Sequence, residues 1–184
     1  MQSIPSPSVA SVGGIGQKRY LQFGNYKWRV LDVQGDKALI ITEDVIEQRR
    51  YNEKYADVRW ETCSLRKYLN GEFYNKFDSV CKGKILPMNV PNPDNPTHGT
   101  NGGKNTNDNI FLLNIDEVRK YFSSDSDRVA KFGNTAYWWW LRAPGYYGNH
   151  AAYVIGGGYV LVSGRNVYYE SGGVRPALWL NLKS

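Results

Sequence analysis

The chain has 184 residues, 41% of them hydrophobic, with 6 Trp, 14 Tyr and 6 Phe. That is enough for one domain with a real core, and it excludes a disordered protein. No run approaches the roughly 20 apolar residues that a membrane helix needs, so no membrane partner is expected. The net charge of +6 comes from bases spread along the chain, at Lys18/Arg19, Arg49/Arg50, Arg66/Lys67, Lys82/Lys84 and Arg119/Lys120. Past Pro144 only Arg165, Arg175 and Lys183 remain, where the aromatics are densest. Single-strand nucleic-acid binders interleave bases with rings. Here the two are separated, which speaks for a solvated basic surface and against nucleic acid.

In chain order, Met1 to Gly16 is rich in Ser, Pro and Gly and has no periodicity. Residues 1–18 read as a flexible leader to a domain over 19–184. The start lacks the basic residues and apolar block of a secretory signal. "YLQFGNYKWRVLDVQGDKALIITEDVI" predicts a hairpin, with "QGD" as its turn and Ala38 to Thr42 as the return strand. "WETCSLRKYLNGEFYNKF" predicts a helix capped by Thr62 or Ser64, with Leu65, Tyr68 and Leu69 at helical spacing and Gly71 as the stop. "LPMNVPNPDNPTHGTNGGKNTNDN" predicts a long ordered loop. Its Asp94, Asn95, Asn105, Asn107 and Asp108 suit turns better than calcium, because no EF-hand spacing is present. "LLNIDEVRKYF" predicts a second helix, with Asn114 as cap and Glu117 three residues on.

After "YWWWLRAPG" come four short extended pieces, Ala152–Ile155, Tyr159–Val162, Asn166–Tyr169 and Val174–Leu180, with glycines at the bends. Val154, Val160, Val167 and Val174 read as inward anchors. Strands, then helices, then strands give an α+β class.

Chemistry is sparse. Cys63 and Cys81 lack zinc-site spacing and there are only two histidines, so no metal is expected. Free thiols are the expectation, with a disulfide as the alternative in an exported protein. His98 and His150 have no partner at motif spacing, and no nucleophile elbow, phosphate loop or dinucleotide fingerprint occurs. From Ala143 to Ser184 there is one acidic side chain, Glu170. Neither an enzyme nor a cofactor is expected, since catalysis needs tuned ionisable groups. Six tyrosines lie between Tyr146 and Tyr169 among Gly, Ser and Asn. Tyrosine offers a large flat contact at low entropic cost, and the small polar residues offer adaptable hydrogen bonds. The tail therefore reads as a binding surface.

"WWWLRAPG" and "GGVRPALWL", with "FGNYKWRVLDV", "CSLRKYLNGEFYNKF" and "NDNIFLLNIDEVRKYF", resemble a bacterial and phage domain family over Tyr20 to Leu182. That family has a C-type-lectin-like, formylglycine-generating-enzyme-like fold, and its members often serve as variable proteins of diversity-generating retroelements. The resemblance implies two helices, short antiparallel strands and long irregular loops. It also implies a gene segment rewritten by a reverse transcriptase that errs at template adenines. Asparagine codons altered at their two adenines cannot give Lys, Gln, Glu, Met or Trp, and between Tyr146 and Val174 only Glu170 breaks that rule. On this resemblance the diversified segment is about 146–173. The ligand contacts are Tyr146, Tyr147, Asn149, His150, Tyr153, Ile155, Tyr159, Leu161, Ser163, Arg165, Asn166, Tyr168, Tyr169 and Ser171. Ala151, Ala152, Val154, Val160, Gly164, Val167 and Val174 are the fixed frame. Trp138–Trp140 and Leu141 are expected to bury deeply, and Arg142 and Arg175 to hold loops through backbone carbonyls. The ligand is an unknown protein or surface glycan, met at a cell surface or virion if the protein is displayed. An unvarying adhesive or glycan-binding domain, or an enzyme on the same fold, is the alternative. The oxidase chemistry of the formylglycine relatives is not implied, because Cys63 and Cys81 lie outside the tail.

Overall fold

A computed structural model describes residues 18–183; the leader expected before them lies outside the described residues. Regular structure starts with strand β1 (Arg19–Phe23), which turns at Gly24 and Asn25 into β2 (Tyr26–Gln34). The expected hairpin follows, from β2 through Gly35 and Asp36 into β3 (Lys37–Thr42). Strand β4 is Glu47–Gln48.

The first expected helix is real but broken. A 3₁₀ turn at Trp60–Thr62 leads to α1 (Ser64–Tyr68), a π turn at Leu69–Phe73 and a 3₁₀ turn at Tyr74–Lys76. Its cap is neither Thr62 nor Ser64, because the Cys63 sulfur accepts the Arg66 N–H at 3.4 Å. Gly71 sits inside the π turn and does not stop the helix. The cause is Asn70. Its amide donates to the Arg66 and Ile110 carbonyls and accepts from the Asn109 and Ile110 N–H groups, so a distant loop outbids regular helix geometry.

Helix α2 (Ser79–Lys84), unforeseen from sequence, is capped by Asp78. Then come β5 (Ile85–Leu86) and β6 (Met88–Val90), which pairs across the Pro/Asn loop with β7 (Thr106–Asp108). The loop thus holds a short hairpin. Asn114 and Glu117 form the expected capping box of α3 (Ile115–Tyr121). A short α4 (Asp125–Arg128) is added after it, so there are four short α-helices instead of two among the described residues.

The remaining strands are β8 (Ala130–Phe132), β9 (Thr135–Tyr137), β10 (Trp139–Pro144), β11 (His150–Val154), β12 (Val160–Asn166), β13 (Gly173–Val174) and β14 (Ala177–Asn181). Of the expected piece Asn166–Tyr169 only Asn166 is extended, as the last residue of β12; the chain then turns, and the Asn166 carboxamide accepts the Tyr168 N–H at 2.8 Å.

Two five-stranded sheets organise the molecule, ordered β1-β2-β3-β14-β5 and β12-β11-β10-β13-β4. One continuous apolar core joins them. Its tryptophans Trp28, Trp60, Trp139 and Trp140 are fully buried, and each indole N–H has an acceptor: Phe23 O, an Asp108 carboxylate oxygen, Arg128 O and Arg49 O. A buried indole without such a partner would forfeit much of its packing gain. Trp138 corrects the sequence expectation, being half-buried on the outer side of the core. Arg142 and Arg175 are buried and hold backbone carbonyls as expected: Leu112 and Pro91 for the first, Thr42 and Glu43 for the second. Burial lowers the Arg175 guanidinium to about 10, still charged at neutral pH. Both thiols are free, and burial pushes the Cys63 thiol up to about 12, which keeps it an inert core group.

Candidate ligand-binding face

The tail builds its face on the β10–β11–β12 half of the second sheet. Val154 pairs with Val160 at one end of the β11–β12 hairpin and His150 with Asn166 at the other. At the His150 end, the 145–150 turn is closed by Gly145 N–H to His150 O and His150 N–H to Tyr147 O. It is tied to the 166–169 turn by Val167 N–H to Asn149 O. Tyr146, Tyr147, Asn149, His150, Asn166, Tyr168 and Tyr169 therefore gather at this end. Ile155 and Tyr159 close the opposite end, through Ile155 N–H to Tyr159 O. The fourteen candidates thus run the length of the hairpin and do not form one compact patch.

Exposure sorts the segment in two. Tyr146, Tyr147, Tyr159, Tyr168 and Tyr169 are 43% to 60% exposed, and Ser163 is exposed too. Asn149, His150, Tyr153, Ile155, Leu161, Arg165, Asn166 and Ser171 are half-buried. None of the fourteen is buried. Ala151, Ala152, Val154, Val160, Val167 and Val174 are all buried, and Gly164 is half-buried. The four valines are buried as expected, Val154, Val160 and Val174 from strands and Val167 from the turn after β12.

Residues outside the segment complete the face, and the sequence did not single them out. His98, from the Pro/Asn loop, sets its ring edge-on against Tyr146 at 4.6 Å, and Tyr146 meets Tyr147 at the same distance. Thr100 donates its hydroxyl to Tyr146 O. Arg50 holds the other turn. Its Nε donates to Tyr168 O at 2.9 Å, its guanidinium lies 4.1 Å from the Tyr168 ring centre, and it pairs with Glu170 at 3.2 Å and Glu53 at 3.3 Å. Glu170, the one acidic side chain of the tail, is thus the partner of Arg50. Trp138 and Tyr137 line the sheet beside Tyr153, and the Trp138 and Tyr153 rings meet at 5.3 Å. Arg165 lies over Trp138, Tyr153 and Tyr169. The only advance signal for Trp138 was its place in a run of three tryptophans, which cannot all face one way along a strand.

Strand β12 is a sheet edge, but its outer carbonyls are partly used. Ser163 O accepts the Tyr146 N–H at 2.7 Å and Val162 O accepts the Asn95 carboxamide at 2.8 Å. That covering blunts strand addition and leaves side chains as the means of contact. Asn95 is buried and Asp108 is engaged by Trp60, Arg66 and Thr106, so both serve the fold. No cluster of three metal-ligating side chains occurs among the described residues. The His150 imidazole, bonded to Asn149, is held below its ordinary value by burial. Among the described residues no helix is long and apolar enough to cross a membrane.

No curated protein and no solved structure matches the chain significantly. A family model described as a domain of unknown function, DUF6273, matches residues 35–182, which include both sheets' central strands and the whole candidate face. The chain belongs to that family.

Proposed function

We propose that the chain is a hypervariable ligand-binding protein. Its Tyr-, Gly-, Ser- and Asn-rich face stands on a C-type-lectin-like scaffold and is the target of retroelement adenine mutagenesis. The observation that carries this reading is the sorting of the segment by exposure: all fourteen proposed contact positions reach solvent, while Ala151, Ala152, Val154, Val160 and Val167 between them are buried. Exposed substitutions usually change stability by under about 0.5 kcal/mol, so such a face can be rewritten without rebuilding the core. The one residue that adenine changes cannot supply, Glu170, is tied to Arg50 from the constant part of the chain. Recognition, not catalysis, is the mechanism: aromatic anchors flanked by hydrogen-bonding groups.

Nucleotide sequence decides the variation. The expected finding is a reverse transcriptase gene nearby and an adenine-rich near-copy of codons 146–173, with differences confined to template adenines. A unique segment with no such copy refutes it and leaves an unvarying glycan-binding or adhesive domain. That second reading has one observation in its favour, a hollow of ≈ 400 Å³ lined by Arg50, Asn166, Tyr168, Tyr169 and Glu170. For the face itself, alanine at both Tyr168 and Tyr169 is expected to move the thermal midpoint by only a few degrees, about 2–4 °C, because both residues are nearly half exposed and each ring meets one surface arginine. It should weaken binding of a selected ligand at least about tenfold. A large loss of folding in differential scanning calorimetry contradicts a contact role for these rings.

A further inference from the structure

Arg165 differs from the seven arginines that brace the core and the loops. Arg29, Arg49, Arg50, Arg66, Arg128 and Arg142 each meet a carboxylate, and Arg175 meets two carbonyls. Arg165 is positioned by rings. Its guanidinium carbon lies 4.4 Å from the centre of Tyr169, 4.8 Å from Trp138 and 5.7 Å from Tyr153. Among the described residues its side chain makes no ion pair and no hydrogen bond. Ring faces carry partial negative charge, and a cation within about 6 Å of several of them is attracted to each.

Two of the three walls, Trp138 and Tyr153, have ring contacts of their own, and the backbone that carries the third, Tyr169, is fixed without Arg165. Trp138 packs edge-on against the fully buried Trp140 at 4.8 Å and stacks on Tyr137 at 6.4 Å. Tyr137 is itself fixed, donating its hydroxyl to Ser171 O at 2.8 Å and accepting from the Gln48 amide at 2.7 Å. Tyr153 stands on β11 and leans on Trp138. Tyr169 sits on a turn closed by its own N–H to Asn166 O at 3.2 Å, and that turn is anchored by Arg50.

We infer that Trp138, Tyr153 and Tyr169 form an aromatic box for an organic cation, guanidinium or quaternary ammonium, which Arg165 fills from within. The residue at position 165 decides whether the box is closed or open to a cationic group of a ligand. In this chain it is closed. A short residue at 165 opens a site that selects by positive charge, because the walls supply no hydrogen-bonding carboxylate. The biological meaning rests on the binding-face reading, but the box stands or falls separately.

The test uses R165S in the full chain, titrated with methylguanidinium and with choline. Binding is followed by tryptophan fluorescence and by the NMR signal of the Trp138 indole. The expected result is saturable binding of at least one cation at millimolar concentration, at least about tenfold tighter than to the wild type. The neutral isostere of choline, 3,3-dimethylbutan-1-ol, is expected to bind at least about tenfold more weakly than choline. Should R165S lose its cooperative melt, R165N serves the same titration. A folded variant that binds neither cation overturns the proposal, as does equal binding by wild type and variant, or equal binding of the neutral isostere. A negative titration leaves the codon comparison untouched, and a unique gene segment leaves the box intact, so the two failures are distinguishable.

Discussion

Replacing Arg142 with leucine is expected to cost the fold about 3–5 kcal/mol, the usual penalty for breaking a buried ionic network by removing one partner. Arg142 is 1% exposed and all five of its N–H donors are engaged. Nε donates to the Asn92 carboxamide at 3.0 Å, Nη1 to Leu112 O and Glu117, and Nη2 to Pro91 O and Glu117. Glu117 also accepts the Asn114 N–H at 2.8 Å as part of the α3 capping box. One guanidinium therefore ties β10 to a helix start and to the Pro/Asn loop. Leucine would leave two buried carbonyls, a carboxamide and a carboxylate short of partners. In a domain of this size the thermal midpoint should fall by roughly 6–20 °C. R142K should fall almost as far, since an ammonium cannot reproduce the planar fork. A drop under about 3 °C for R142L, measured by calorimetry, would show that the network is not what holds these segments.

The second large effect concerns glycines inside the segment proposed to vary. Gly158 has φ +87, and a Cβ there would strike the Asp125 carbonyl oxygen, a backbone atom of α4 that cannot swing away. The Gly158 carbonyl in turn accepts from Arg128 Nε at 2.8 Å, which docks the β11–β12 turn onto that helix. Gly172 faces a different obstacle: its Cβ would lie inside the indole of Trp140, which is fully buried and hydrogen-bonded to Arg49 O. G158A and G172A are each expected to lose about 3 kcal/mol or more in urea unfolding. Gly157 has nothing within 4 Å of its would-be Cβ, and G157A should shift the urea midpoint negligibly. If all three alanine variants unfold alike, the packing argument fails. If it holds, natural variants will keep glycine at 158 and 172 and change freely at 157.

What the sequence disclosed, and what it hid, follows from the range of each interaction. The Asn114–Glu117 box and the β2–β3 turn depend on residues within four positions of one another, and both were legible. Val154 and Val160 were legible because alternation along a strand is a local rule, whereas Val167 is buried from the turn after β12, which parity does not foretell. Exposure along the tail could be anticipated from tyrosines beside glycines. The π turn could not, because Asn70 is recruited by Asn109 and Ile110, some forty positions away. Arg50 reaches Tyr168 across 118 positions, and His98 meets Tyr146 from an unrelated loop. Trp138 was misread because burial of its two neighbours says nothing about its own ring until the sheet's outer side is known.

The order of the strands has a consequence for how errors are tolerated. Strand β14 lies inside its sheet, between β3 and the short edge strand β5, yet it is made after the whole segment 146–173. Arg175, which clamps Thr42 and Glu43, is also made after it. A frame shift or stop codon within that segment would therefore delete an interior strand and an internal clamp together. Such a chain loses the strand that joins β3 to β5, so under the proposed rewriting only in-frame outcomes would keep the complete fold.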